Sequence, residues 1–392
     1  MPNAFDVVII GGGVIGSSVA YHLSANPDFT GTIAVIERDP TYTVSSSSLS
    51  TSAIRQQFGT RPNIRMSAYS IDFLRTVRER LSVGDEAAEI GLREPGYLIL
   101  GTADQVTGFE AKNAEQRACG VHTELLGRDE LRRRYPWLHT DDLAIASYGP
   151  EKEGWFDGPA LLQALRKKAR AQGVHYIADT VTGLEMASPA KVDAVHLQGG
   201  ARLAAGTVVN AAGAWSGGIA RMAGLELPVE PRKRCVFVFD SPEKIPHSPF
   251  IFDTSGLFFR PEGHLYLCGT TPPADNAPDD FGLDVDYALF DEIVWPALAH
   301  RIPGFERLKM LRAWAGLYEY NTFDHSAVIG RHPEIGNFIF ACGFSGHGMM
   351  HSPAAGAATS EVIVYGASRS IDIEPFAFER IAANRPIEEH VY

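Results

Sequence analysis

Six residues, Gly11-Gly12-Gly13-Val14-Ile15-Gly16, follow directly on the apolar run Val7-Val8-Ile9-Ile10, and their spacing suits a turn that receives a pyrophosphate. Gly11 permits the sharp turn, Gly13 lets main-chain amides approach phosphate oxygens with no side chain between, and Gly16 lets the next helix lie close on the strand. Val14 and Ile15 open that helix, whose N-terminus carries partial positive charge. Glu37 closes a second apolar run, residues 32–36, about twenty residues past the last glycine. A carboxylate there accepts hydrogen bonds from both hydroxyls of an adenosine ribose and disfavours a 2'-phosphate. Run, glycines and acid in register define a dinucleotide site. FAD and NAD share the pattern, so it leaves the cofactor open.

A second glycine turn narrows the choice. Cys342-Gly343-Phe344-Ser345-Gly346-His347-Gly348 follows the buried run Phe338-Ile339-Phe340-Ala341 and precedes a helix expected over residues 349–365. If both turns face one ligand, the late helix presents its amide end to the far extremity of a long molecule. An isoalloxazine ring that takes up two electrons becomes anionic at its pyrimidine edge, and a helix N-terminus stabilises that charge. That pairing points to FAD. A third strand end, Asn210-Ala211-Ala212-Gly213-Ala214-Trp215-Ser216, offers small residues past which backbone can approach the cofactor, with tight packing as the simpler explanation. After Glu37-Arg38, the hydroxyl-rich segment Ser45 to Ser52 lies where hydroxyls and amides can continue along the cofactor; alone, such a run is most often a polar loop. Arg55 closes that segment, and a single arginine ordinarily makes a surface ion pair.

The elements that must position these residues are legible in outline. Residues 62–82 have the apolar spacing of an amphipathic helix. Residues 96–101 look like a strand, 105–120 like a helix, and 128–135 like a short charged helix whose Arg132-Arg133-Arg134 is a solvated face. An α/β rhythm returns with Asp157 as N-cap of a helix to residue 172, then strands at 173–177, 181–186 and 207–210 and a helix to Ala223. Residues 227–268 are dominated by strands, 284–302 read as a helix containing Trp295-Pro296, and 311–320 lead back out. The expected fold is therefore α/β: a Rossmann-like cofactor-binding domain from residues 1–84, 153–224 and 326–392, interleaved with an α+β substrate domain, residues 85–152 and 225–325, built on a mainly antiparallel sheet.

At 392 residues and 45% hydrophobic, the chain can bury a large core and form two domains. A net charge of −12 argues against a nucleic-acid partner. Cys119, Cys235, Cys268 and Cys342 have no C-x-x-C spacing and read as reduced, buried thiols. The first strand begins too early for a secretion or transit peptide, and no apolar run reaches membrane-spanning length, so the expectation is a cytoplasmic protein without an integral membrane segment. No metal site is expected, and the oligomeric state is not fixed by these features.

The first glycine turn with Glu37, the segment Asn210 to Trp215 and the late turn Gly343 to Gly348 together resemble the D-amino acid oxidase and sarcosine oxidase family of flavoproteins, across nearly the whole chain. Gly154-Trp155-Phe156-Asp157, Leu227-Pro228-Val229-Glu230-Pro231-Arg232-Lys233-Arg234, Ala313-Trp314-Ala315-Gly316 and Tyr320-Asn321-Thr322-Phe323-Asp324 resemble, more closely, the FAD-dependent oxidoreductase domain proteins linked to respiratory complex I assembly. The family implies oxidation of a C–N bond beside a carboxylate to an imine, with hydride passing to flavin N5 and water later hydrolysing the imine. It also implies a carboxylate-holding arginine, which Arg55 matches in Arg55-Gln56-Gln57-Phe58-Gly59; a guanidinium gives a bidentate pair that aims the C–H bond. The complex I relatives lack that arginine. Sarcosine oxidases attach the flavin through a cysteine whose place is taken here by Leu317, so FAD is expected to be non-covalent. A carboxylate-binding lysine is replaced by Met350, and a lysine associated with oxygen activation aligns with Tyr266, which leaves O2 or another acceptor as the electron sink.

These readings converge on oxidation of a small carboxylated secondary amine, sarcosine-like or imino-diacid-like. Arg55, His347, Met350 and Tyr318 are expected at the reacting end, without a dedicated side-chain base, and Tyr97, Phe259, Tyr318 and Tyr320 as an apolar wall, with His351 beside Met350. Gly11, Gly13, Val14, Ile15, Gly16, Glu37, Arg38, Ser46, Ser47, Ser48, Thr51, Ser52, Val181, Ala211, Gly213, Trp215, Gly343, Phe344, Ser345, Gly346, His347 and Gly348 are expected along FAD. The rival is a flavin-binding assembly protein with little turnover.

Overall fold

The computed structural model describes residues 2–245, 247–387 and 389. Two eight-stranded sheets organise it. In the first, the strands Phe338–Cys342, Arg202–Asn210, Ala4–Ile10, Ile33–Glu37 and His175–Ala178 run parallel in that spatial order, with Val328–Arg331 antiparallel at one edge. Val7, Val8, Ile9 and Ile10 are all buried, as a strand covered on both faces requires. Helix Val14–Ala25 follows the opening strand and packs against helix Gly348–Tyr365, which is lined by small buried residues from Ala354 to Ala358. At their crossing Gly356 lies so close to Ser18 that an added Cβ would sit 2.7 Å from the Ser18 carbonyl carbon.

The second sheet runs Lys309–Asn321, Val229–Asp240, Leu265–Gly269, Phe258–Glu262, Phe250–Phe252, Tyr97–Gly101, Ile145–Gly149 and Glu124–Gly127. It is antiparallel except where Phe250–Phe252 joins Tyr97–Gly101 in parallel. Its own apolar core gathers Phe237, Phe239, Phe259, Tyr266 and Phe305. The expected α/β class, with a Rossmann-like unit and a mainly antiparallel second sheet, is what the chain forms.

Three local features depart from the sequence reading. Lys191–Leu197 is a strand that pairs with Val181–Ser188 and Arg202–Asn210, although its polar ends hide the pattern. The helix expected over 284–302 is three pieces, Tyr287–Leu289, a wider π turn Phe290–Val294, and Trp295–Arg301. Pro296 offers no amide and crowds the carbonyl four residues earlier, and the π turn absorbs that misfit. The amphipathic stretch 62–82 forms Arg61–Arg75 and Val77–Leu81, broken at Thr76.

Candidate functional site

A cavity of about 630 Å³ runs from the first glycine turn to the late one, between the two sheets. At the near end Gly11 has φ +101°, and a Cβ on it would lie 2.3 Å from the Ala211 carbonyl oxygen. A Cβ on Gly16 would meet the Gly11 carbonyl oxygen at still shorter range, so the third glycine serves helix-on-strand packing and does not line the cavity. Glu37 is braced by two main-chain donors: the Gly12 amide donates to Oε2 at 2.8 Å and the Asp39 amide to Oε1 at 2.9 Å. Gly13 caps helix Val14–Ala25, and the Val14 amide donates to Ser47 Oγ at 2.9 Å. The hydroxyl-rich run is not a loose loop: Ser45 donates to Tyr42 O and to Ser48 Oγ, which turns the chain along the cavity wall.

Gly11, Gly13, Val14, Ile15, Glu37, Arg38, Ser46, Ser47, Thr51, Val181, Ala211, Gly213 and Trp215 all line the cavity; Ser48 and Ser52 do not. Arg38 stacks on Trp215, its guanidinium carbon 3.5 Å from the ring centroid, and Trp215 stacks in turn on Phe281 at 4.9 Å.

The late turn is held in a conformation that its sequence allows. Gly343, Ser345 and Gly346 all have positive φ, and a Cβ on Gly346 would lie 2.4 Å from the Tyr318 ring. The Gly343 amide donates to Glu319 Oε2 at 3.0 Å, and Ser345 N donates to Glu319 O. The Asn-Thr-x-Asp segment proves architectural: Asn321 binds Asp324 and Ser326, and Arg380 clamps Asp324 through Nε at 2.8 Å and Nη2 at 3.0 Å. Gly343 itself, Phe344 and the Asn321 side chain lie in the structure behind the cavity, whereas Ser345, Gly346, His347, Gly348 and Met350 face it.

Arg55 reaches the same end of the cavity. Only 9% exposed, it donates from Nη1 to Gln57 O at 2.5 Å, sits 3.3 Å from His347 Nε2 through Nη2, and lies 4.2 Å above the Phe58 ring. Among the described residues no carboxylate pairs with it. Burial and then the Arg55 charge hold the His347 imidazole well below its ordinary pKa, so it is neutral and orients the guanidinium. Tyr97, stacked on Phe250 at 4.4 Å, joins Tyr318, Tyr320 and Phe258 to give the apolar wall. Phe259 is a correction: strand alternation turns it into the core of the second sheet. Tyr266 lies in that core as well, accepting from the Ile245 amide. His351 is one residue further round the helix than Met350 and faces away, 2.9 Å from Ser67 Oγ.

Three functional-looking groups escaped the sequence reading. Glu319 faces the cavity from strand Lys309–Asn321, with a carboxyl pushed up to about 8 by burial against the pull of the Gly343 and Phe344 amides. Arg234 lines the wall from strand Val229–Asp240. Glu153, fully buried, accepts from Gln56 N at 2.5 Å and Gln57 Nε2 at 2.6 Å, fixing the backbone around Arg55; burial pushes it up to about 7. The available signal was alternation, since Glu319 stands two residues from Leu317 and four from Ala315, both buried.

The residues present fit FAD: an elongated cavity of ligand size, a glycine cradle that a Cβ would fill, an acid at the ribose position, and a second amide-rich turn at the other end. Fold and site thus define a flavin-dependent oxidoreductase. Residues 6–362 match the DAO family, FAD dependent oxidoreductase, and the chain belongs to that family. It is 40% identical over 422 residues to the Xenopus laevis FAD-dependent oxidoreductase domain-containing protein 1, covering 99% of this chain and 85% of that one. Mouse sarcosine dehydrogenase is 27% identical over 384 residues, 93% of this chain and 40% of the longer protein. Among solved structures, L-proline dehydrogenase from P. horikoshii superposes with a TM-score of 0.88 at 26% identity, covering 99% of this chain and 100% of that one.

Proposed function

We propose that this chain oxidises the C–N bond of a small secondary-amine amino acid to the imine, which water then hydrolyses, with FAD held non-covalently and electrons leaving to O2 or another acceptor. One observation carries the reading: a buried guanidinium, paired with no carboxylate among the described residues, facing the cavity beside the late glycine turn among aromatic side chains. FAD, when bound, takes a hydride from the carbon next to nitrogen. The chain supplies the rest. Arg55 fixes the substrate carboxylate, neutral His347 fixes Arg55, and Tyr97, Tyr318 and Phe250 exclude water and favour the uncharged amine that releases hydride. Leu317 in the cavity wall offers no attachment atom, which supports non-covalent FAD. The names of the sarcosine and L-proline dehydrogenases, both with secondary-amine substrates, support the substrate class.

The test is anaerobic mixing of purified holoprotein with N-methylglycine, L-proline and N-carboxyalkyl glycines. Bleaching of the oxidised flavin band by a panel member is the expected result. No bleaching by any of them sinks the reading and favours a flavin-binding assembly protein.

A further inference from the structure

Arg234 is a third guanidinium on the cavity wall, after Arg38 and Arg55, and nothing in the reading above employs it. Its side chain is 12% exposed. Nη1 donates to Lys233 O at 2.9 Å and to Asp275 Oδ1 at 2.8 Å, while among the described residues Nε and Nη2 have no hydrogen-bond partner. Arg234 lines the cavity and Asp275 does not, and Asp275 also pairs with Arg232 Nε at 3.2 Å, so one carboxylate is shared between two guanidinium groups. The guanidinium carbon lies 5.4 Å from the Tyr318 ring and 6.0 Å from that of Tyr320. Tyr318 ties the two cationic positions together: burial raises its phenol, and Arg234 and then Arg55 pull it back. The same aromatic group therefore feels both charges. No lysine lines the cavity among the described residues, so Arg55 and Arg234 are the cations available near that wall, Arg38 being engaged on Trp215 at the other end.

A substrate with one carboxylate uses one of these groups. With Arg55 so occupied, Arg234 keeps only the shared Asp275 as counter-ion beside a cavity walled by aromatics, and a second anionic arm would offset the rest of its desolvation, because a hydrogen bond to a charged partner is worth more than one to water. Resting on the secondary-amine reading, we propose that Arg234 is a second carboxylate-binding group, and that the preferred substrates are secondary amines carrying a carboxylate on each arm.

Binding of unreactive thioether isosteres separates this claim from turnover. Methylthioacetate carries one carboxylate, whereas thiodiacetate and its homologues with one or two further methylenes carry two. Each is titrated into FAD-loaded protein and followed by the change in the flavin absorption band. At least one dicarboxylate should bind about tenfold or more tightly than methylthioacetate, and Arg234→Gln should collapse that ratio toward one. Arg234→Lys should keep an intermediate ratio, because the charge remains without the planar fork. FAD content and circular dichroism establish that the variants are folded. Equal binding of mono- and dicarboxylates by the parent, or a preference that survives in Arg234→Gln, overturns the proposal. The reduction panel reports on the chemistry separately: bleaching by N-methylglycine with no dicarboxylate preference leaves the oxidation reading standing and removes this one.

Discussion

Arg55 is placed by its own segment as much as by any partner. Its Nη1 satisfies the Gln57 carbonyl two residues on, the Gln56 amide is tied to Glu153, and Phe58 packs under the guanidinium. A bidentate carboxylate contact of two charge-assisted bonds is worth about 3 kcal/mol, or roughly a hundredfold. Arg55→Ala should accordingly raise the half-saturating concentration of a reducing amino acid about a hundredfold with FAD content intact, read by anaerobic stopped-flow. An unchanged half-saturation would remove Arg55 from the site. Glu153 makes a separate prediction. Its folded pKa, about 7, lies above the ordinary 4.5 because burial penalises the charge, so the folded state holds a proton that the unfolded chain has lost. Stability therefore falls as pH rises from about 4.5 to about 7 and is flat beyond, by on the order of 3 kcal/mol. Glu153→Gln should flatten that part of the profile in urea titrations at pH 5, 6, 7 and 8; an undiminished slope would show that other groups carry it.

Helices Val14–Ala25 and Gly348–Tyr365 carry the two glycine turns, and their contact fixes how far apart the turns stand. Gly356 sits against the facing helix, with Ser18 Oγ and the Ser18 main chain in the way of any side chain. Gly356→Ala should separate the helices, destabilise by about 1–3 kcal/mol, lower Tm by several degrees and weaken FAD retention. Thermal melts with measured FAD content check it; a stable variant that retains FAD normally would show that the turn spacing tolerates the shift. At this scale the sequence was most readable, because strand Ala4–Ile10, its glycine turn and the acid-terminated second strand depend on local periodicity and spacing. The late turn was readable for the same reason. Strand Lys191–Leu197 was not, since its stability comes from neighbours on both sides, and Phe259 was placed on the wrong face because the register of its strand is set by pairing with Leu265–Gly269. Arg234 and Glu319 were missed because facing a shared cavity is a property of two paired strands, Val229–Asp240 and Lys309–Asn321, and not of either segment.

Across the whole molecule, the cavity draws its walls from both sheets: Ile10 and Ile36 from the first, Cys235, Phe250 and Leu317 from the second. A ligand that spans it bridges surfaces that otherwise meet across open space, so FAD should act as a structural element as well as a reagent. A ligand that binds only the folded state stabilises by RT ln(1 + [L]/Kd), about 2.7 kcal/mol at a hundredfold excess over Kd. If attachment is non-covalent, acid precipitation should release all the yellow FAD to the supernatant, and the apoprotein should melt lower than the holoprotein, with Tm climbing as FAD is added back. Cys235 gives the release measurement its force, being a thiol in the cavity wall opposite Ala315 on the paired strand, two positions from Leu317. Flavin retained on the precipitated chain, and freed by Cys235→Ala, would mean that the second sheet holds the cofactor by a bond from a strand other than the one bearing Leu317. Complete release together with an FAD-dependent Tm would leave the binding energy to the glycine turns, Glu37 and the aromatic wall.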